Sequence, residues 1–226
     1  MKKKILIYIL IFFVGLVIFR NWYVENILKK KMKPFHDKLI EMLPITIKYL
    51  DEEGIKWILY SGNLLGIYRH KNSFIPWDDD IDLIILKEDE TLEERFKRVN
   101  DKLKTHDMYL KDAPFGYAVN NDDHSISKNK AYIDLFIFEK KGDIWMGNEW
   151  AQNTFPREKF KENILLPIKK GIFEGIEVNI PNDSIGCLKQ SYGDNCLTSG
   201  KLTHIHQCNS FEKLMVFITG QVPLYF

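Results

Sequence analysis

The sequence contains little cysteine and little excess charge. Its 226 residues include three cysteines, and Lys and Arg together outnumber Asp and Glu by one. Structural zinc sites usually contain a closely spaced cysteine pair, so a zinc cluster of Cys187, Cys196 and Cys208 with His204 and His206 is not favoured. Free thiols, or one disulfide with a leftover thiol, are expected instead. The small net charge excludes the broad basic surface typical of proteins that bind nucleic acid.

Apolar and aromatic residues are plentiful. They make up 45% and 13% of the chain, which is enough for a hydrophobic core. A length of 226 residues suits one membrane segment followed by one compact domain rather than two full domains.

The one long apolar run lies at the amino terminus. Lys2, Lys3 and Lys4 precede uncharged residues 5–19, and Arg20, Trp22 and Tyr23 follow. The run is short for a membrane span, and a cleaved signal peptide is the rival interpretation. No small-x-small cleavage site follows it, however, and Trp and Tyr are typical of a membrane interface. The pattern therefore favours an uncleaved signal anchor.

The anchor sets the predicted domain organisation. Residues 1–24 are predicted to be a cytoplasmic tip and transmembrane signal anchor, 25–34 a basic stalk, and 35–226 the catalytic domain. This arrangement predicts a single-pass type II membrane protein with a lumenal domain, in the Golgi or endoplasmic reticulum if the source is eukaryotic. The sequon at Asn182 fits a lumenal domain, although Asp183 within it is better explained as a helix cap.

Four carboxylates within five positions are the strongest chemical signal. Asp78, Asp79, Asp80 and Asp82 lead into the apolar run 81–86, which is typical of a buried strand. Alternate residues of a strand point to the same face, so Asp80 and Asp82 should lie side by side. Their oxygens suit Mg²⁺ or Mn²⁺. A merely solvated acidic turn does not explain why Asp82 stands inside the apolar run.

A fifth carboxylate interrupts another apolar strand. Residues 131–138 are apolar apart from Asp134. A hydrogen-bonded structural Asp and a salt-bridge partner are both alternatives, but two further carboxylates on a neighbouring strand favour a metal ligand or base.

A glycine turn precedes the acidic motif. Gly62 and Asn63 lie between the predicted strand 55–60 and a short helix, where backbone amides can receive a phosphate. Arg69 and Lys71 follow and would pair with phosphate oxygens, although ordinary surface cations explain them equally well.

The remaining pattern predicts alternating helices and short strands. A helix is predicted from Leu39 toward Gly54, and Pro44 should kink or restart it. A second helix is predicted over 91–106, where Thr91 and Glu94 form a capping box. Short strands follow around Tyr109, Tyr117 and Ser125, and then helices over 185–192 and near 211–218.

These landmarks resemble the LicD family, which includes fukutin and fukutin-related protein. The resemblance rests on Trp57, the segment YSGNLLG at 60–66, Arg69, IPWDDDIDL at 75–83 and YIDLF at 132–136. Weaker landmarks extend it to about residue 195: Phe155-Pro156, Leu166-Pro167, FEGIEVNIP at 173–181 and YGD at 192–194. The chain departs from the family at Asn63, where Thr is common.

The resemblance implies an α+β fold, a nucleotidyltransferase-like mixed sheet flanked by helices and related to the DNA polymerase beta superfamily. It also implies transfer of a phospho-alcohol, of the phosphocholine or ribitol phosphate type, from a CDP-linked donor to a glycan hydroxyl. By the same resemblance Asp80, Asp82 and Asp134 match the metal-binding carboxylates, and Gly62-Asn63 matches the phosphate-side turn.

Two other functions fit part of the pattern. A glycosyltransferase would use an Asp-x-Asp such as 78–80 to hold a nucleotide sugar through a metal. That fold, however, places alternating strands and helices before its acidic motif. A noncatalytic membrane-tethered scaffold of the same fold is the third candidate, against which the presence of all three carboxylates argues.

Overall fold

The computed structural model describes residues 2–121, 131–198 and 210–211. Within them the helices are α1 (Lys2–Tyr23), α2 (Lys29–Glu52), α3 (Ser61–Arg69), α4 (Leu92–Lys104), α5 (Glu149–Thr154), α6 (Glu162–Leu165) and α7 (Ser184–Tyr192). The strands are β1 (Trp57–Leu59), β2 (Asp80–Lys87), β3 (Tyr109–Ala113), β4 (Gly116–Asn120), β5 (Tyr132–Lys141), β6 (Ile144–Gly147), β7 (Lys159–Lys161), β8 (Lys169–Phe173) and β9 (Ile176–Ile180). The predicted strand at Ser125 and nearly all of the predicted final helix lie outside the described residues.

The amino-terminal helix is long and continuous. A π-helical turn, Val24–Leu28, joins α1 to α2 without a break in the helix. Large apolar side chains from Ile5 to Phe19 are exposed. In the described part of the chain, this is the one helix long and apolar enough to cross a membrane.

Helix α2 passes through two prolines. The sequence predicts a kink or a restart at Pro44, and the restart does not occur, because one helix includes both Pro34 and Pro44. A proline inside a helix removes one backbone hydrogen bond. Burial of the apolar face of α2 outweighs this loss, since Leu39, Leu43 and Leu50 are fully buried against the core.

A mixed sheet forms the centre of the domain. Its strand order is β1-β2-β5-β4-β3, and β6 and β7 extend it from the far half of β5. Strands β2 and β5 run parallel, whereas the other neighbours are antiparallel. A separate hairpin, β8-β9, pairs apart from this sheet. The α+β class and the mixed sheet flanked by helices are confirmed.

The two faces of β2 and β5 differ at their amino ends. Ile81 and Leu83 are fully buried on one face. The other face carries Asp80 and Asp82 at its start. Farther along β5 that face is aromatic, and Phe136 and Phe138 pack against the ring of Tyr60. The carboxylates therefore lie where the aromatic packing stops.

Two predicted helix starts can be compared directly with the structure. Helix α4 begins near the predicted residue, but the capping box is wrong: the Thr91 side chain donates to Asp89 Oδ1 at 2.6 Å and makes no cap bond to the helix. Thr91 has helical backbone angles, with φ −86° and ψ 0°, whereas a residue that caps a helix with its side chain usually has extended ones. The predicted Asp183 cap of α7 is confirmed, with Oδ1 accepting from the Gly186 amide at 2.9 Å.

Candidate metal and phosphate site

Three carboxylates from two neighbouring strands converge at one end of the sheet. Asp82 on β2 lies directly opposite Asp134 on β5, and Asp80 lies two residues before Asp82. One oxygen from each of the three side chains lies within 4.8 Å of the others. The structure thus brings together the three residues that the sequence singled out. No other such group of His, Cys, Asp or Glu side chains occurs in the described part of the chain.

The parallel pairing of β2 and β5 explains this arrangement. In a parallel pair, residues at matched positions point to the same face, so the register of Asp82 with Asp134 places both side chains together. A shift of one residue would send Asp80 and Asp82, if it occurred in β2, or Asp134, if it occurred in β5, to the opposite face, which is apolar at this end of the sheet. The fully buried neighbours Ile81, Leu83 and Ile133 fix the register.

The local electrostatics oppose ionisation of this group. Burial raises the pKa of Asp82, and the charges of Asp134 and Asp78 raise it further. The pKa of Asp80 is raised for the same reasons, by burial first and then by Asp82 and Asp134. Burial, with a contribution from Asp79, raises the pKa of Asp134 to about 7. Adjacent carboxylates with these properties fit a divalent cation, which would favour their ionised forms.

Asn63 ties α3 to the strand that carries the carboxylates. Its side chain is fully buried. Its Nδ2 donates to the Asp80 carbonyl at 3.0 Å, and its Oδ1 accepts from the Asp82 amide at 2.7 Å. These two bonds fix the backbone on both sides of Ile81. The structure thus shows Asn63 as a support for the carboxylates, while its predicted contact with phosphate stays a prediction.

Gly62 lies against a carboxylate at the start of α3. A Cβ at Gly62 would stand 2.7 Å from Asp78 Oδ2, so only glycine leaves room for this side chain. Asp78 Oδ2 is buried and finds no hydrogen-bond partner within the described residues. An anion is favourable beside a helix amino terminus. Asp78 therefore lies beside the glycine turn, and phosphate binding by the amides of that turn stays a prediction.

The two predicted cationic residues differ in placement. Arg69 is half-buried, and its Nη1 donates to the Cys196 carbonyl at 3.1 Å. Its charge counteracts the rise in the pKa of Asp78, which burial causes first and Asp80 and Asp79 reinforce. Lys71 is exposed and has a positive φ of 57°. Arg69 thus belongs to the electrostatic surroundings of the carboxylates, and phosphate binding by both cations stays a prediction.

Sequence reasoning missed a second polar layer behind Asp82. The Ser61 hydroxyl lies 2.8 Å from the Tyr192 hydroxyl, and Ser61 opposes the rise in the pKa of Asp82. Burial raises the pKa of Glu158 to about 7, and its charge contributes to the raised pKa of Asp82. No local pattern marks Glu158, because it lies in a polar loop more than seventy residues along the chain from Asp82. For Ser61 the sequence did offer a signal, because this serine directly precedes Gly62 in the predicted glycine turn.

The loop before the carboxylates is held by the amino-terminal helix. His36 on α2 lies with Nε2 2.7 Å from the Asp78 carbonyl, and its ring stacks on Phe74 with the ring centroids 4.2 Å apart. Trp77 packs against a small cluster of Val24, Leu28 and Met32 on the same helix, and all three are fully buried. Residues predicted as a basic stalk therefore include apolar side chains that support the site loop.

The two cysteines that the structure describes take no part in this site through their side chains. Cys187 and Cys196 are both buried and free. Burial raises the pKa of the Cys187 thiol well above its usual range, which makes it a poor nucleophile and a poor metal ligand. Cys208, His204 and His206 lie outside the described residues.

Comparison with known proteins identifies the family of this fold and site. The model of the LicD/FKTN/FKRP nucleotidyltransferase domain matches residues 54–183, which is more than half of the chain. The chain belongs to this family. The match includes both carboxylate strands and α3, so the LicD resemblance predicted from the sequence is confirmed.

The LicD relatives include bacterial and mammalian proteins. An uncharacterized protein of Rickettsia typhi is 33% identical over 68% of this chain and 45% of its own length. A second, from Rickettsia prowazekii, is 27% identical over 96% of this chain and 82% of its own length. Human ribitol 5-phosphate transferase FKRP is 26% identical over 69% of this chain. This chain spans only 31% of the length of FKRP.

A distant structural likeness was also found. The crystal structure of ANT(2")-Ia in complex with adenylyl-2"-tobramycin aligns with 80% of this chain and 89% of its own length. The TM-score is 0.44 at 12% identity, a likeness too weak to support an argument about site or substrate.

Proposed function

We propose that this LicD-family protein transfers a phospho-alcohol from a CDP-linked donor to a hydroxyl of a glycan, in a reaction assisted by Mg²⁺ or Mn²⁺. The observation that carries the proposal is the convergence of Asp80, Asp82 and Asp134 oxygens within 4.8 Å. Family membership supports a transferase, and the mammalian relatives FKRP and FKTN are ribitol 5-phosphate transferases by name.

The carboxylates fit a divalent cation on chemical grounds. All three are half-buried and adjacent, and the pKa of each is raised by burial and by neighbouring carboxylates. Hard cations prefer oxygen ligands of this kind. When bound, the cation would neutralise charge on the donor diphosphate and on the departing nucleotide.

The reaction itself requires little covalent chemistry from the protein. The acceptor hydroxyl oxygen forms a bond to the phosphorus that carries the alcohol, and the bond from that phosphorus to the bridging oxygen breaks. CMP leaves with the electron pair of that bond. Asp134 either shares the cation or accepts the proton of the acceptor hydroxyl. Arg69 and Lys71, with the amides of Gly62 and Asn63, would contact donor phosphate oxygens.

The amino-terminal helix is proposed to anchor the protein in a membrane. Its exposed apolar residues from Ile5 to Phe19 support this role. We propose type II topology, with the catalytic domain on the side opposite the amino terminus.

A donor screen tests the proposed function. The full chain in detergent or lipid nanodiscs is incubated with Mg²⁺ and CDP-ribitol, CDP-choline or a panel of UDP- and GDP-sugars, and nucleotide release is measured. We expect Mg²⁺-dependent CMP release from a CDP-alcohol, with CDP-ribitol tested first because of FKRP and FKTN. UDP or GDP release from a nucleotide sugar, with no CMP release, would instead support the glycosyltransferase alternative.

A matched pair of variants makes the screen specific. Asp112 is an exposed aspartate on β3 outside the carboxylate group, so Asp112→Asn should retain the donor preference of the parent protein. Loss of CMP release in both Asp112→Asn and Asp82→Asn would mean that the signal does not come from the proposed site.

A further inference from the structure

The edge strand β3 carries a lysine whose charged group is buried. Lys111 Nζ is buried and finds no hydrogen-bond partner among the residues that the structure describes. Burial of a charged group without a partner costs free energy, which an anion beside it would offset. Lysine is common at sheet edges, where its charge discourages pairing with another chain. That role requires an exposed charge, so it does not explain the buried ammonium group of Lys111.

The register of the sheet places Lys111 on the same face as the carboxylates. Asp82 on β2 lies opposite Asp134 on β5. Ala118 on β4 lies opposite Asp134 on one side and opposite Lys111 on the other. Residues directly opposite each other on neighbouring strands point to the same face of a sheet. The four side chains therefore form one row across the sheet, with the carboxylates at one end and Lys111 at the other.

Small residues separate Lys111 from the carboxylates. Strands β5 and β3 lie on either side of β4, which corresponds to about 9.6 Å between their backbones. In the row of Lys111, β4 contributes the small side chain of Ala118. In the next row it contributes Gly116, which lies opposite Ala113. In these two rows no bulky side chain of β4 stands between Asp134 and Lys111.

The charge of the carboxylate group requires a further cation near the substrate. One divalent ion does not neutralise three carboxylates, and a donor diphosphate adds more negative charge. Of the two cations predicted from the sequence, Arg69 donates to the Cys196 carbonyl, and Lys71 is exposed. The ammonium group of Lys111 makes no hydrogen bond within the described residues and lies on the carboxylate face. It is therefore available to an anionic ligand.

We propose that Lys111 binds a phosphate oxygen of the CDP-linked donor, on the far side of Ala118 from Asp134. This proposal rests on the proposed function, because it adds a substrate contact to the same site. The ammonium group would neutralise phosphate charge that the metal ion does not, and the contact would strengthen as the departing CMP gains charge. Lys111 keeps its proton throughout, so the bonds that form and break in the transfer are unchanged.

Binding of CDP tests this contact without turnover. The full chain in nanodiscs is titrated with CDP at saturating Mg²⁺ by calorimetry, as the parent protein, Lys111→Met and Lys111→Arg. Methionine keeps an unbranched stem and removes the charge, so the dissociation constant should rise at least about tenfold, the scale of one charge-assisted hydrogen bond. Arginine keeps the charge and should recover part of the lost affinity.

A lysine farther along the same face is the matched control. Lys140 lies on β5 six residues beyond Asp134, is exposed, and pairs with Glu162 at 2.7 Å. Exposed ion pairs contribute little, so Lys140→Met should bind CDP as the parent protein does.

Two further measurements separate a substrate contact from a structural role. Without ligand, Lys111→Met should unfold at the same temperature as the parent protein or a higher one, because it removes a buried charge that has no partner. Mn²⁺ alone, followed by electron paramagnetic resonance, should bind Lys111→Met as tightly as the parent protein or more tightly, because no negative charge is lost. If Lys111→Met does not fold, Lys111→Gln replaces it with the same expectations for CDP and Mn²⁺.

The outcomes distinguish this proposal from the proposed function. Equal CDP affinity of the parent protein and Lys111→Met would overturn the contact. Weaker Mn²⁺ binding by Lys111→Met would also overturn it, because Lys111 would then support the carboxylates rather than the substrate. If CDP binding depends on Lys111 but no CDP-alcohol yields CMP in the donor screen, the proposed transfer fails and the phosphate contact stands. If the parent protein does not bind CDP, both fail.

Discussion

Substitution of Asp82 with asparagine is expected to reduce Mg²⁺-dependent turnover by about a thousandfold or more, the scale seen when a central electrostatic contact is lost. Asp82 lies opposite Asp134 and beside Asp80, so it is adjacent to both of the other carboxylates. Asparagine keeps the shape of the side chain and removes its negative charge. The measurement is CMP release from the preferred CDP-alcohol at saturating Mg²⁺.

The fold should survive this change. The Asp82 amide, which bonds to Asn63 Oδ1, belongs to the backbone and is retained. Removal of one charge also relieves repulsion among carboxylates whose pKa values are raised by one another. Without metal, the variant should therefore unfold at the same temperature as the parent protein or a higher one. Near-normal Mg²⁺-dependent activity in a folded Asp82→Asn protein would refute the assignment of the site.

The second large effect is an unusual pH dependence of stability. The pKa values of Asp134 and Glu158 are both raised to about 7 by burial in the folded protein. When burial raises the pKa of a carboxyl group in the folded protein, the folded state holds the proton more tightly than the unfolded state does. The group therefore contributes most to stability at a pH below its pKa in the unfolded chain. This contribution is lost as the pH rises through its pKa in the folded protein. Between pH 6 and pH 8 each group should therefore cost about 1 kcal/mol of the free energy of unfolding, so the metal-free protein is more stable at pH 6.

Mg²⁺ should reverse this trend. Because the cation binds ionised oxygens, its stabilising effect should be larger at pH 8 than at pH 6. At a concentration of about one hundred times the dissociation constant, a bound ion adds about 2.7 kcal/mol. The measurement is thermal unfolding in nanodiscs at both pH values, with EDTA or with Mg²⁺.

One variant separates the two carboxyl groups. Glu158→Gln should reduce the loss between pH 6 and pH 8 in EDTA by about 1 kcal/mol, because it deletes one of the buried carboxyl groups with a raised pKa, and should still respond to Mg²⁺. A metal-free protein that becomes more stable from pH 6 to pH 8 would contradict the account. An equal Mg²⁺ shift at both pH values would contradict it as well.

Local pattern was sufficient to predict the elements that carry the site. The apolar runs around Asp82 and Asp134 each contain one carboxylate at a position where burial of a charge is costly. A charged residue inside an apolar run indicates a functional site, so the sequence alone singled out both strands. Strand alternation placed Asp80 beside Asp82. The parallel register that sets Asp134 opposite Asp82 depends on the sheet as a whole, so the local pattern did not predict it.

Contacts between distant residues were not predictable from the sequence. Asn63 looked like part of a phosphate turn, because local spacing does not show that its side-chain amide spans the backbone bonds at Asp80 and Asp82. Glu158 carries no local signal, and its role depends on packing beside Tyr60 and Asp82. The restart predicted at Pro44 was wrong because a proline penalty is local, whereas the buried face of α2 is stabilised by the whole core.

A crystal structure of the full chain soaked with Mn²⁺ and CDP tests the central claim most directly, because Mn²⁺ is located by anomalous scattering. We expect an anomalous peak bounded by oxygens of Asp80, Asp82 and Asp134, at metal–oxygen distances of about 2.0–2.3 Å, with the CDP phosphates on its open side. CDP bound without Mn²⁺ at these carboxylates, or Mn²⁺ bound only elsewhere on the protein, would contradict it.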